Sequence, residues 1–275
     1  MNTLMSDRQY LLTEQYQDGS KLDARVRLHE QFSTNEHGWP RWAFDRLGVP
    51  SEGRVLELGC GPGALWVENA RRIPGDWDVV LSDLSAGMIQ EARHALGELT
   101  GRFRFLVLDI QALPFEGGYF DSVIANHMLY HVPDVARALA EVRRVLKPGG
   151  KLYAATNGER HLQEMRDLVR VFDPGIACGP EEYSFGLENG AAQLERCFED
   201  IELYRYEDSL VVTEVDPLVA YVLSSFSNTS FGLGGDRAGE FAVFVERQLA
   251  ARGAIHISKD VGLFVALRGA GPWDL

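Results

Sequence analysis

From Val55 onward, short apolar runs alternate with amphipathic stretches, the rhythm of a parallel sheet with crossover helices. Val55-Leu56-Glu57-Leu58 reads as a short buried strand that stops at Gly59. A helix is expected around Leu65 to Ile73, and Trp77 to Ser82 forms a second strand ending at Asp83. After Ser85, which suits an N-cap, Met88, Ala92, Ala95, Leu96 and Leu99 share one helical face. Phe103 to Leu108 reads as a third strand closed by Asp109, and Phe120 to Ala125 as a fourth. Val135, Ala138, Leu139, Val142, Val145 and Leu146 then repeat at helical spacing. Pro133 suits the start of that helix, and Lys147-Pro148-Gly149-Gly150 is a strong stop. Lys151 to Ala155 follows as a fifth strand.

The flanks are less regular. Residues 1–50 read as helical, with a polar break at Ser33-Thr34-Asn35 and an aromatic group, Trp39 and Trp42. A helix carrying Leu162, Met165, Leu168, Val169 and Phe172 leads into a loop through Gly186 and a short helix to Phe198. Two more strands are expected near 201–212 and 261–268, with helices near 216–226 and 236–252. The expected fold is α/β: a Rossmann-like, doubly wound, mostly parallel seven-stranded sheet with an antiparallel last strand and a helical cap. Residues 1–50 would be an N-terminal cap, and 51–275 the core with a cap insertion at about 157–199.

Composition narrows the partners. Lys and Arg number 27 against 40 Asp and Glu, for a net charge of −13. Such a surface repels a phosphate backbone, so no nucleic-acid partner is expected. No stretch approaches the length of a membrane span, and the opening MNTLMSDRQYLLTEQY has no basic segment followed by an apolar one. No membrane insertion and no export signal are therefore expected. Cys60, Cys178 and Cys197 show no metal-binding spacing. They read as reduced thiols of a cytoplasmic protein with no metal site.

The chemistry concentrates at strand ends. Gly59-Cys60-Gly61-Pro62-Gly63 lies between a strand and a helix, where glycines let the main chain turn tightly and approach a ligand. Asp83 ends the next strand, placed to accept hydrogen bonds from ribose hydroxyls or to serve the helix after Ser85 as an N-terminal charge. Asp109 ends the third. Three successive strands thus bring Gly, Asp and Asp to one sheet edge, which is where open α/β sheets bind ligands. An adenosine cofactor fits this edge, and NAD and S-adenosylmethionine fit it alike.

Five segments separate the two: VLELGCGPGALW (55–66), LSDLSAGMI (81–89), LDIQALPF (108–115), YFDSVIANHMLYHVPD (119–134) and LKPGGKLYAATN (146–157). Together they resemble the class I S-adenosylmethionine-dependent methyltransferases, and most of all the small-molecule group called type 11 or UbiE-like. The resemblance implies a set of roles. Gly59 and Gly61 would pass under the methionine part of S-adenosylmethionine, and Glu57 would help hold its amine. Asp83 would take the ribose hydroxyls, with Leu84 and Met88 near the adenine. Asp109 would accept from the adenine amino group, Ile110 would offer its backbone N–H to the ring, and Asn126 would face the methionine moiety through its backbone carbonyl.

The expected activity is methyl transfer to a small organic acceptor at O, N or C. A non-catalytic S-adenosylmethionine-binding partner and an NAD-dependent dehydrogenase are the alternatives. His127 and His131 follow the fourth strand, near where the methyl would point, and are the candidate catalytic bases; their other reading is as packing or turn residues. Tyr16, Arg25 and Arg27 in the N-terminal segment, and the aromatics Tyr130, Tyr183, Phe185, Phe226 and Phe231, are further candidates for the cofactor carboxylate or for pocket walls.

Overall fold

A computed structural model describes residues 20–176, 182–226 and 236–269; Tyr16, Cys178, Phe231 and the side chain of Phe226 lie outside what it describes. The N-terminal part holds α1 (Ser20–Phe32) and α2 (Trp39–Phe44). The central part then runs β1 (Arg54–Leu58), α3 (Ala64–Glu68), β2 (Asp78–Asp83), α4 (Ala86–Leu96), β3 (Phe103–Val107), β4 (Phe120–Asn126), α5 (Val135–Val145) and β5 (Leu146–Asn157). Beyond it come α6 (Gln163–Phe172), α7 (Gly190–Leu194), β6 (Glu199–Arg205), β7 (Ser209–Val212), α8 (Val215–Phe226), α9 (Asp236–Arg252), β8 (Ile255–Ser258) and β9 (Val261–Leu267).

Seven strands form one sheet in the order β3-β2-β1-β4-β5-β9-β6. The pairings from β3 through β5 are all parallel, and β9 lies antiparallel between β5 and β6. The order reverses at β1, whose neighbours are β2 and β4, so the crevice of an open α/β sheet opens between the carboxyl ends of β1 and β4. Alternate residues feed the two faces. Leu56, Leu58, Val123 and Ala125 pack under α5, while Val55, Val79, Leu81 and Ile124 pack under α2, α3 and α4. Burying Leu139 and Val142 of α5 contributes about 1.5–3 kcal/mol each, which is why that helix was so legible.

Local chemistry moves several expected boundaries. The helix expected over 65–73 ends at Glu68 because buried Asn69 donates from Nδ2 to the Leu65 and Pro40 carbonyls at 2.8 and 3.0 Å. Ser85 caps α4 as expected, its Oγ accepting from the Met88 N–H at 3.3 Å. Pro133, expected in the first turn of α5, lies just before it, and Asp134 caps the helix by accepting from the Arg137 N–H. The fifth strand begins at Leu146, not Lys151. Its Lys-Pro-Gly-Gly turn is carried inside the strand as a register shift, pinned by Gly149 N to Arg268 O (2.7 Å) and Arg268 N to Gly150 O (2.8 Å).

The single strand expected over 201–212 is two, β6 and β7, broken at Tyr206-Glu207-Asp208. Its partner is likewise two, β8 and β9, broken at Lys259-Asp260. The register carries through unshifted: Arg205 faces Gly262 below the break and Ser209 faces Ser258 above it. One bent antiparallel ribbon therefore leaves the large sheet, with Asp208 opposite Lys259 at the bend. A third apolar cluster surrounds its upper part, uniting Leu28 and Phe32 with Leu162, Met165, Val169, Leu210, Leu218, Phe241 and Ile257. Among the described residues no helix is long and apolar enough to cross a membrane, and no group of His, Cys, Asp and Glu has the arrangement of a metal site.

Candidate functional site

The carboxyl ends of β1, β2, β3 and β4 meet along one rim. Parallel register puts Leu58 beside both Ser82 and Ala125, and Asp83 beside Val107. The turn after β1 is tied down by Cys60 N donating to Ser82 O at 2.9 Å. Gly59, Gly61 and Gly63 all hold positive φ, at 66°, 52° and 80°. Asp83 organises this turn directly. Its Oδ2 accepts from the Gly61 N–H at 3.0 Å and its Oδ1 from the Ser85 N–H at 2.8 Å. Burial raises the Asp83 pKa, while the N–H groups of Ser85, Gly61 and Leu84 pull the other way. Three backbone donors leave at least one of the carboxylate's roughly four lone-pair positions open toward a diol.

Glu57 lies beneath the turn, 2% exposed. Trp66 Nε1 donates to its Oε2 at 2.5 Å and Asn126 Nδ2 to its Oε1 at 3.1 Å. Burial, which these bonds only partly offset, raises its pKa to about 8, and the Asp83 carboxylate pushes the same way. Neither bonded partner carries a positive charge. Asn126 contributes a second loose end, since its Oδ1 is buried without a hydrogen-bond partner. Further along the rim, Leu84 is half-buried and Met88 buried. Asp109 accepts from the Gln111 N–H at 2.9 Å and bonds that residue's amide, and Ile110 packs into the core beside it.

This arrangement fits an adenosine cofactor with a cationic end. A carboxyl of raised pKa and an orphaned amide oxygen sit at the β1/β4 crevice, and Asp83 keeps an open lone pair one strand away. The glycine turn is graded in the same sense. A Cβ on Gly59 would stand 2.9 Å from Met128 Cβ and Cγ, whereas one on Gly61 would meet no atom within 4 Å. Gly61→Ala is expected to cost about 1 kcal/mol of stability, the strain of a left-handed backbone, yet to weaken cofactor binding about tenfold or more. Gly59→Ala should cost clearly more stability through overpacking. Melting curves and calorimetric titration with S-adenosylhomocysteine check both; Gly61→Ala with undiminished affinity would mean that the turn does not approach the ligand.

The two candidate bases separate. His127, at φ 52°, follows Asn126 directly, donates its backbone N–H to Ala155 O at 3.1 Å, and sets its ring 4.9 Å from Trp39. Burial and then the nearby Lys259 ammonium lower it to about 4, so it is neutral near pH 7. His131 closes a short turn, its N–H bonded to Met128 O, with its ring 4.5 Å from Tyr130. Of the other candidates, Arg25 reaches α8 instead, donating to the Ser224 carbonyl at 2.9 Å. Arg27 points to solvent, and Phe185 is core, 5.9 Å from Phe264. Tyr130 and Tyr183 stand 5.5 Å apart, and burial lifts the Tyr183 pKa to about 12.

Sequence reasoning missed a second polar group beside His127. It comprises His29 of α1, His161 before α6, and the Asp208–Lys259 pair at the ribbon bend. No local pattern announces them, because they come from four separate segments.

Residues 56–154 match the family model described as a methyltransferase domain. That match runs from β1 to β5 and takes in the rim described above. The chain is similar to ubiquinone/menaquinone biosynthesis C-methyltransferases of Marinomonas sp. (31% identical over 170 residues) and Proteus mirabilis (34% over 170). Each alignment covers 61% of this chain and 62% of the relative, so the match spans under two thirds of those proteins. The chain also shares its fold with YcgJ of Bacillus subtilis (TM-score 0.56, 17% identity, 84% of this chain and 98% of that one). It shares it too with a Haemonchus contortus phosphoethanolamine N-methyltransferase solved with phosphomonomethylethanolamine and S-adenosylhomocysteine (TM-score 0.58, 20% identity, 96% and 60%).

Proposed function

We propose that this protein transfers a methyl group from S-adenosylmethionine to a small organic acceptor. The observation that carries the reading is the single rim, where Gly61, Asp83, Glu57 and Asn126 converge at the β1/β4 crevice of a methyltransferase domain. Bound there, the cofactor supplies a methyl already activated on a sulfonium, so the protein's work is to bind, aim and exclude water. Asp83 holds the ribose hydroxyls. Leu84, Met88, Asp109 and Ile110 hold the adenine. Gly59 and Gly61 let the main chain pass under the methionine part, and Glu57 with Asn126 receives its charged end. His127, neutral and next to the crevice, takes a proton from an acceptor that must lose one, with His131 as the second candidate. The helices α1, α2, α6 and α7 close over the site as a lid.

Thermal-shift titration with S-adenosylmethionine, S-adenosylhomocysteine and NAD tests the cofactor. The first two should raise the melting temperature and NAD should not; stabilisation by NAD alone overturns the reading. Turnover of methyl-labelled cofactor against a metabolite extract then tests catalysis, and binding without any turnover would leave a cofactor-binding protein instead.

Glu57 gives the reading a pH dependence of definite sign. Its folded-state pKa, about 8, lies above the ordinary glutamate value. The stability it contributes is complete below that ordinary value and drains away as pH rises through about 8. A cationic ligand beside it favours the carboxylate, so binding near pH 7 should release up to about one proton. Titrating S-adenosylmethionine in phosphate and in Tris reads this as a buffer-dependent heat. Glu57→Gln should abolish the difference; equal heats for the unmodified protein would remove Glu57 from the cofactor's charged end.

A further inference from the structure

The cluster that the rim does not use lies just beyond His127. Lys259 Nζ donates to Asp208 Oδ2, and both side chains are nearly inaccessible, at 8% and 0% exposure. Asp208 is drawn the other way by four more donors: Ser33 Oγ (2.5 Å), Thr34 Oγ1 (3.3 Å), and the N–H groups of Asn35 (3.0 Å) and Ser209 (2.8 Å). The carboxylate thus accepts from five donors, while the ammonium bonds Asp208 and lies 5.3 Å from the centre of the Tyr206 ring. The pair is neutral overall, a dipole whose positive end is the Lys259 ammonium.

Three imidazoles lie within reach of that ammonium. Burial keeps His29, His127 and His161 neutral, and repulsion by Lys259 acts on all three, opposed at His29 by the Asp208 carboxylate. His161 Nδ1 accepts from the Asp260 N–H at 3.3 Å, which places its own proton on Nε2. His29 stacks 6.5 Å from His161 and edge-on to Tyr221 at 5.7 Å; its Nδ1 is cut off from solvent with no hydrogen-bond partner. A buried, unsatisfied ring nitrogen costs about 1–3 kcal/mol unless a ligand completes it. All three histidines and Trp39 nevertheless keep part of their surface accessible, so the group borders a crevice and not solid core. Trp39, 5.3 Å from Tyr206 and 4.9 Å from His127, supplies flat apolar walls.

We infer that this crevice is the acceptor subsite, and that it selects a planar acceptor bearing an oxyanion, which Lys259 and the His29 and His161 rings hold while His127 faces the atom to be methylated. Cationic and neutral N–H donors converge there without a spare carboxylate, a set matched to a carboxylate or a phenolate and unfavourable for an amine. The inference rests on the methyltransferase reading, since His127 links the subsite to Asn126 and the cofactor rim.

Calorimetric titration of the full chain, with and without saturating S-adenosylhomocysteine, tests it. Benzoate is compared with benzamide, and 4-nitrophenolate with 4-nitroanisole, at a pH where both acids are ionised. At least one anion should bind about tenfold tighter than its neutral counterpart, and the tighter anion tells carboxylate from phenolate. Lys259→Gln, which retains a donor for Asp208, should erase the preference, and His29→Phe should reduce it about threefold or more. If Lys259→Gln does not fold, His29→Phe decides alone. Anions that never beat their neutral counterparts, or a preference that survives the substitutions, overturn the subsite. Failure of S-adenosylhomocysteine to bind overturns the methyltransferase reading instead, and is seen separately in the same titrations.

Discussion

Replacing Asp83 by alanine should weaken S-adenosylhomocysteine binding about ten- to a hundredfold, the loss of roughly 1–3 kcal/mol of hydrogen bonding to a charged acceptor. The structure adds a second consequence. The same carboxylate accepts from the Gly61 and Ser85 N–H groups, so its removal also frees the glycine turn and the start of α4. A stability loss of about 1–2 kcal/mol should accompany the loss of affinity, as for other helix-start acceptors. The two effects separate with Asp83→Asn. Its amide oxygen can keep one backbone bond, but it has lost the charge, so stability should recover more than affinity does. Calorimetry gives the affinity and urea denaturation the stability. Unchanged affinity in Asp83→Ala sinks the ribose assignment, even if the variant is less stable.

That double role explains what was legible in the sequence. The rim could be read because each element there announces itself within a few residues: an apolar run, then a glycine or an aspartate, then a cap such as Ser85. Both readings offered for Asp83, ligand acceptor and helix charge, draw on that local grammar. The misplaced boundaries have equally local but side-chain causes. Asn69 stops α3 by bonding a carbonyl four residues back and another from Pro40, and the second bond is invisible to periodicity. No glycine or proline marks a break within 201–212; what breaks the strand is the buried charge at Asp208, whose partner lies 51 residues away. His29 and His161 carry no local pattern at all. Their meaning depends on α1 and the segment before α6 meeting over the ribbon, which only the assembled chain displays.

Asp208→Ala should cost about 3–5 kcal/mol of folding stability, more than any other single substitution at the bend. The deletion leaves the Lys259 ammonium buried without its counter-charge, and that penalty is larger than the worth of the bond itself. It also strips Ser33, Thr34 and Asn35 of their common acceptor. Those residues begin the segment between α1 and α2, which pairs with the ribbon through Thr34 N to Ser209 O at 2.9 Å and a bridge from Ser33 to Leu210. The loss should therefore be uneven. Hydrogen exchange should accelerate most in α1 and in β7 and β8, and least in β1, β2 and β4, whose hydrogen bonds belong to the large sheet. The double variant Asp208→Asn with Lys259→Met should recover most of the stability, because no charge then remains unpaired. It should not recover the preference for an anionic acceptor. If exchange rises evenly through both sheets, or if the double variant is no more stable than Asp208→Ala, then the pair is not what fastens the N-terminal helix to the ribbon, and the placement of His29 over the crevice needs another cause.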